Sequence, residues 1–237
     1  ADLDRIAAFN THDDVAAYIG EPGAPGNTPI ALVFGLDDKN PDRYSVDVFQ
    51  AGLGMPDRDY YLKPDAKFAE TRVAYRAYIE KMLGMAKYAN AASAADAIMA
   101  LEVKIAELQW PIEKLRDVEL AYNPRSRAEL VSSAPEFAWD AALKSAGLQN
   151  QNFFLLRNPE PIAGLAKLFR ATPVETWRAY MTFHYLNGQA DIMPVAFDDL
   201  AFDFNGKTLN GTPQKLDRWK RAVTALSGNF GEQPLGL

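Results

Sequence analysis

The chain has 237 residues, of which 48% are hydrophobic and 24% charged, with a net charge of -6 and no cysteine. That length supports one large core or two small ones without covalent staples, and the missing cysteines remove disulfides, thiolate metal sites and thiol nucleophiles together. An acidic balance does not suggest the concentrated Lys/Arg surface that a nucleic-acid backbone needs, and no apolar run approaches the roughly 18 residues of a membrane span.

Asp4 to Phe9 reads as the end of a helix, and Thr11-His12-Asp13-Asp14 has the Thr-x-x-acid form of a capping box that opens a short helix to Ile19. A Gly/Pro-rich loop runs from Gly20 to Pro29. Ile30 to Leu36 is an apolar, β-branched run, and Tyr44 to Phe49 alternates Tyr44, Val46 and Val48 with Ser45 and Asp47. With turn residues Asp37 to Asp42 between them, the two runs predict a β-hairpin. Gly52 and Gly54 follow, turning the chain from sheet to helix. From Asp65 to Met85, Phe68, Tyr75, Tyr78, Ile79, Met82 and Leu83 recur at helical spacing, and a second helix over Ser93 to Gln109 carries Ile98, Leu101, Ile105 and Leu108 on one face. A short helix starts at Pro111. Three more helices are expected after Asn158 before Pro159, after a Thr172-Pro173-Val174-Glu175 capping box, and after Thr212 before Pro213. The second of these is apolar around most of its circumference, through Trp177, Tyr180, Met181, Phe183, His184 and Leu186, which predicts burial. Asn152 to Arg157 reads as a short strand, and Asn205-Gly206 and Asn210-Gly211 as turns. The fold class is therefore mainly α, a multi-helical lobe with a small β-hairpin near the N-terminus.

Few residues present chemistry. His12 and His184 are far apart, and neither has a second histidine nearby, so no metal spacing exists. His12, beside Asp13 and Asp14, reads as a solvated first-turn residue, and His184 as a satisfied core histidine. Asp57 and Asp59 could be drawn as a carboxylate pair for hydrolysis, but charges in a strand-to-helix loop more simply pair and cap backbone groups. Asp198, Asp199 and Asp203 lack the spacing of a calcium loop. Gly52/Gly54 and Gly228/Gly231 open no phosphate-binding loop, and no Gly-x-Ser-x-Gly elbow occurs. Trp110, Trp139, Trp177 and Trp219 read as core packing rather than a stacking platform. No catalytic, cofactor-binding or metal-ligating residue is assigned.

The most distinctive string is Phe49-Gln50-Ala51-Gly52-Leu53-Gly54-Met55-Pro56-Asp57-Arg58-Asp59-Tyr60-Tyr61-Leu62. It is followed in order by Ala74-Tyr75, Tyr78-Ile79, Ala100-Leu101-Glu102, Ile105-Ala106, Arg116-Asp117, Tyr122-Asn123, Ala128-Glu129-Leu130 and Pro135-Glu136-Phe137-Ala138-Trp139. Thr172-Pro173, Leu209-Asn210-Gly211 and Arg218-Trp219-Lys220-Arg221 complete the series. Motif and order together resemble the N-terminal lobe of the neprilysin-like zinc metallopeptidases, the M13 family, over most of the chain.

The resemblance implies one lobe over residues 1–237, with the hairpin and motif at 30–62 inside it and the parent protein continuing at both ends; Ala1-Asp2-Leu3-Asp4, without initiator Met or leader character, is expected to be a boundary. It also implies a parent enzyme holding zinc through two histidines and a glutamate on a thermolysin-like lobe of the same polypeptide, acting on oligopeptides. The zinc helix of that family, two histidines four apart with an adjacent glutamate, occurs nowhere here, so no cofactor is expected in this segment and the fragment alone is expected to be inactive. The implied role is a cap that restricts substrate access by size. Since animal members carry disulfides, a cysteine-free version points to a bacterial protein; the missing cysteines do not fix the compartment, and the resemblance favours the bacterial periplasm or export. Two other readings are a self-sufficient helical binding or scaffold domain, and a hydrolase built on Asp57 and Asp59.

Overall fold

The structure, a computed structural model, describes residues 2–23 and 27–230. Two short helices, α1 (Asp2–Ala7) and α2 (His12–Gly20), precede a hairpin of β1 (Ile30–Asp37) and β2 (Asn40–Gln50). The motif loop leads into α3 (Asp59–Leu62), and the long pair α4 (Ala66–Met85) and α5 (Ala91–Leu108) follows. Then come α6 (Ile112–Leu115), β3 (Pro124–Arg125), α7 (Arg127–Ser133), α8 (Trp139–Ser145), β4 (Phe154–Leu156), α9 (Pro159–Ala171) and α10 (Val174–Gln189). The chain closes with α11 (Val195–Ala201), which widens into π-helical turns over Phe202–Leu209, and α12 (Arg218–Phe230).

Helix α10 forms the centre of the core because apolar residues surround it: Trp177, Tyr180, Met181, Phe183 and Leu186 are all buried. Against it lie Tyr75, Tyr78, Ile79 and Met82 of α4, Ile98, Leu101 and Ile105 of α5, and Ile162, Leu165 and Phe169 of α9. Each such side chain contributes about 1.5–3 kcal/mol by leaving water. The wide π turn after α11 delivers Phe204 to this core, where it stacks on Tyr78 with ring centroids 4.9 Å apart.

The expected hairpin forms and is antiparallel, with Leu32 opposite Val48 and Phe34 opposite Val46. The turn is tighter than the sequence suggested: β2 already begins at Asn40, so Pro41 and Asp42 belong to the strand. Asn152 to Arg157 does contain a strand, β4, but its role is larger than a short isolated segment. It pairs parallel to β2 and antiparallel to β3, giving a four-stranded sheet in the order β1-β2-β4-β3. The parallel pairing joins Asp47 to Leu155 across more than a hundred residues and requires the helical crossover that lies between them.

Several start signals were spent elsewhere. The Thr11 capping box closes as predicted, with Thr11 Oγ1 and the Asp14 carboxylate each accepting from the other's backbone N–H. The proposed Thr172 box does not: only Thr172 and Pro173 separate α9 from α10, and the Thr172 hydroxyl turns back to donate to the Leu168 carbonyl, at 2.7 Å. It therefore satisfies an orphan carbonyl at the end of α9 rather than an N–H of α10. Asn158 does precede α9, yet its oxygen accepts from the Gln50 N–H of β2, at 3.1 Å, instead of capping. No helix starts at Pro213. The Gly211 and Thr212 amides bond to the Lys207 and Gly206 carbonyls, closing the π-helical turns, and α12 begins only at Arg218. Lys207 to Leu209 is likewise helical rather than flanked by turns.

Candidate functional site

The motif loop leaves β2 at Gln50 and passes over α5 and α10 before entering α3. Its first residues are tied down from several elements. The Gln50 side chain pairs with both backbone groups of Trp110, accepting from its N–H at 2.8 Å and donating to its carbonyl at 3.2 Å. Gln109 donates to the Ala51 carbonyl, and the Ala51 N–H donates to the Pro29 carbonyl. Asn27 spans the next turn, accepting from Gly52 N–H at 3.1 Å and donating to the Leu53 carbonyl at 2.7 Å. Tyr180 of α10 donates to the Gly52 carbonyl at 2.6 Å.

Glycine is required twice here. Gly52 has φ +94°, and a Cβ on it would meet the Pro29 Cα at 2.6 Å. At Gly54 the demand is space: a Cβ would lie 1.8 Å from the Tyr75 hydroxyl oxygen.

That hydroxyl belongs to the most buried polar group of the lobe. Glu102 of α5 is fully buried and accepts four hydrogen bonds. Its Oε2 takes Tyr61 O–H at 2.5 Å and Gly54 N–H at 3.3 Å; its Oε1 takes Tyr75 O–H at 3.0 Å and His184 Nε2 at 2.9 Å. A carboxylate oxygen only accepts, so His184 Nε2 carries the proton in this contact. Tyr61 relays the arrangement, accepting from the Met55 N–H at 2.9 Å. Burial first, and then the Glu102 charge, push the phenols of Tyr61, Tyr75 and Tyr180 well above their ordinary range.

The loop thus separates two clefts. One, about 250 Å³, is lined on its polar side by Asp57, Arg58 and Asp59 and on its apolar side by Trp110, Ile112 and Leu115. The other, shallower and about 490 Å³, lies over Gly54, His184 and Asn187. The first cleft therefore mixes charged and apolar walls.

His184 is a satisfied core histidine, as predicted, though its partner Glu102 went unrecognised. The signal was present: Glu102 falls four residues after Ile98 and three before Ile105, inside the buried stripe of α5. His12 is a correction. Rather than standing in solvent, it is half-buried, bonds through Nε2 to the Thr172 carbonyl at 2.9 Å and meets the Phe169 ring edge-on, pinning α2 to the α9–α10 corner. Asp57 and Asp59 follow the backbone-capping reading. Asp57 accepts from the Asp59 N–H at 2.7 Å, Asp59 pairs with Lys63 at 2.6 Å, and Arg58 Nε donates to the Ala106 carbonyl at 3.0 Å.

Asp198 and Asp199 are held by Lys215, with Arg221 also on Asp198, and Asp203 pairs with Lys207. Trp110, Trp139 and Trp177 are buried, but Trp219 is 65% exposed on α12, against the core-packing reading. On the same helix Val223 and Leu226 are also partly exposed. Gly231 lies outside the described residues.

The donor set does not fit zinc. Among the described residues no three His, Cys, Asp or Glu side chains are grouped to hold a metal ion, and the two histidines are committed to separate partners. No helix of the described residues is long and apolar enough to cross a membrane.

The chain belongs to peptidase family M13, whose model matches residues 1–234. Endothelin-converting enzyme 1 from Cavia porcellus is 27% identical over 202 residues, which cover 82% of this chain and 27% of that protein; the Homo sapiens enzyme gives 27% identity over 82% and 26%. The chain therefore spans about a quarter of these relatives' length. Among solved structures, the Mycobacterium tuberculosis zinc metalloprotease ZMP1 in complex with inhibitor superposes with TM-score 0.90 at 30% identity, covering 98% of this chain and 36% of that one. PEPO from Lactobacillus rhamnosis shares the fold, with TM-score 0.77 at 16% identity over 99% of this chain and 38% of that one.

Proposed function

We propose that this chain is the non-catalytic cap lobe of a zinc-dependent metalloendopeptidase, closing over a thermolysin-like catalytic lobe of the same polypeptide and admitting oligopeptides while excluding folded proteins. The observation that carries the reading is the match of nearly the whole chain to little more than a third of a zinc metalloprotease, at TM-score 0.90. The two histidines fit this reading, since His12 and His184 are held by separate partners and form no zinc-binding pair. A cap of this kind works by shape and water exclusion, and a motif loop held by side chains from several elements is suited to that task.

The test compares the 237-residue chain with the complete polypeptide. The short chain is expected to retain no stoichiometric zinc and to cleave no peptide. The complete polypeptide is expected to bind one zinc and to cleave short peptides while sparing a folded protein that carries the same cleavage sequence. One tightly held zinc in the short chain, or equal cleavage of free and folded substrates by the complete enzyme, would refute the proposal.

A further inference from the structure

Strand β1 presents an edge that a self-contained protein does not leave open. It is an outer strand of the sheet, and its run Ile30-Ala31-Leu32-Val33-Phe34-Gly35-Leu36 holds no charge and no proline. Soluble proteins ordinarily blunt such an edge with Lys, Pro or a covering element, since it otherwise templates pairing with another strand.

The ladder fixes which groups are free. Pro29 accepts from Ala51, so Ala31, Val33 and Gly35 are the residues that exchange bonds with β2, and the N–H and C=O groups of Leu32, Phe34 and Leu36 face outward. Their side chains share one face with Tyr44, Val46 and Val48. Near the loop that face is core, with Ile30, Val46 and Val48 buried. Towards the hairpin tip it runs out into solvent: Phe34 is 56%, Leu36 54% and Tyr44 76% exposed. An apolar face, continuous with the core, and a row of unsatisfied backbone groups therefore meet at one place.

We propose that the β1 edge is an interlobe docking site, which pairs with a strand contributed by the part of the peptidase polypeptide outside these 237 residues. This inference rests on the reading of the chain as one lobe of a longer enzyme. The occupant follows from length: the matched metalloprotease is covered for only 36% of its chain, so most of such a polypeptide remains to be packed against this lobe. A β-strand is the partner that answers both features, since its backbone satisfies the outward groups of Leu32, Phe34 and Leu36 while its alternate side chains cover Phe34, Leu36 and Tyr44.

Hydrogen exchange on the 237-residue chain and on the complete polypeptide tests this. In the short chain, Ala31, Val33 and Gly35 amides are expected to be protected and Leu32, Phe34 and Leu36 amides to exchange freely. In the complete polypeptide the latter three are expected to slow by about a hundredfold or more. Phe34→Lys, at an exposed site, is expected to shift the melting temperature of the short chain by less than about 2 °C, yet to return the Leu32 and Leu36 amides of the complete polypeptide to fast exchange.

Equal exchange of these amides in both settings overturns the proposal. So does a short chain that is a dimer with the same amides protected, or protection of the short chain by added oligopeptide alone, since each assigns the edge to a different occupant. Peptidase activity and zinc content of the complete polypeptide report separately on the cap-lobe reading: an active enzyme with an unprotected edge sinks the docking site and leaves the function standing.

Discussion

Replacing Glu102 by glutamine isolates the buried network that holds the motif loop. The carboxylate accepts four donors, two on each oxygen, and an amide of the same shape keeps only one accepting oxygen. The less costly orientation is set by the partners. Tyr61 already accepts from Met55 and cannot also accept from an amide, and the Gly54 N–H can only donate, so the amide oxygen must remain at the Oε2 position. The NH₂ group then faces Tyr75 and His184, whose hydroxyl and ring nitrogen must each give up donation. Two charge-assisted bonds are lost and two others weakened. At roughly 1.5–3 kcal/mol for each bond to a charged group, and with partial recovery as Tyr75 and His184 reverse roles, the net cost is about 3 kcal/mol. In a domain of this size each kcal/mol moves the melting temperature by about 2–4 °C, so Glu102→Gln is expected to melt roughly 6–12 °C lower. Glu102→Ala is expected to cost about 5 kcal/mol, because all four donors are stranded and a cavity opens. Thermal unfolding followed by circular dichroism gives the magnitude, and hydrogen exchange at Gly54 and Met55 gives the location. A Glu102→Gln protein that melts within about 2 °C of the parent, or one whose Gly54 and Met55 amides exchange no faster, would refute the assignment of this carboxylate as the anchor of the loop.

The glycines of the motif should tolerate nothing larger. Gly54→Ala drives a methyl into the Tyr75 hydroxyl and Gly52→Ala adds a left-handed backbone to a backbone clash, so each is expected to destabilise by about 3 kcal/mol or more in denaturant titration. Gly84→Ala, in α4 with nothing near its Cβ, is expected to stabilise by about 0.5–1 kcal/mol; loss of stability there would count against the packing described. Alkaline pH should unfold the lobe abruptly. Tyr18, raised to about 12 mainly by burial, and the buried Tyr61, Tyr75 and Tyr180 stay protonated in the fold above the pH at which free phenols ionise. Their raised values mean that stability is complete below about pH 10 and falls above it by about 1.4 kcal/mol per pH unit for each tyrosine. Four such groups remove most of the stability of an ordinary domain by pH 11 to 12. Tyrosinate absorbance and circular dichroism should therefore change together in one transition, and smooth titration of all ten tyrosines with the helices intact would contradict it.

What could be read from the sequence was whatever local periodicity or chemistry controls. The hairpin, α4 and α5 were legible because their apolar residues recur at the spacing of the element, and the Thr11 box because its partners are three residues apart. The sheet was only half legible: β4 pairs with β2 through residues such as Leu155 and Asp47, and nothing in either segment names the other. The Thr172 signal was real capping chemistry that served the end of the preceding helix instead of the start of the next, whereas at Thr212 it is the backbone N–H that closes the preceding turns. Glu102 is the instructive omission. A charged residue within a buried stripe is costly unless satisfied, so its position called for donors, and His184 on an apolar helix called for an acceptor.

The placement of that network explains why a loop with two glycines and three charges can be firm. Its backbone groups are satisfied by Asn27, Gln109, Tyr180, Tyr61 and Glu102, side chains that come from separate parts of the chain. Shifting the loop as a unit would require breaking bonds to α5 and α10 together, whereas shifting either helix would pull on the loop. The same loop follows β2, whose neighbour β1 carries the open edge, and it forms the wall between the two clefts. The β1–β2 hairpin is thus joined directly, through β2, to the cleft wall. That stiffness fixes the shape of the surface the loop presents at both clefts.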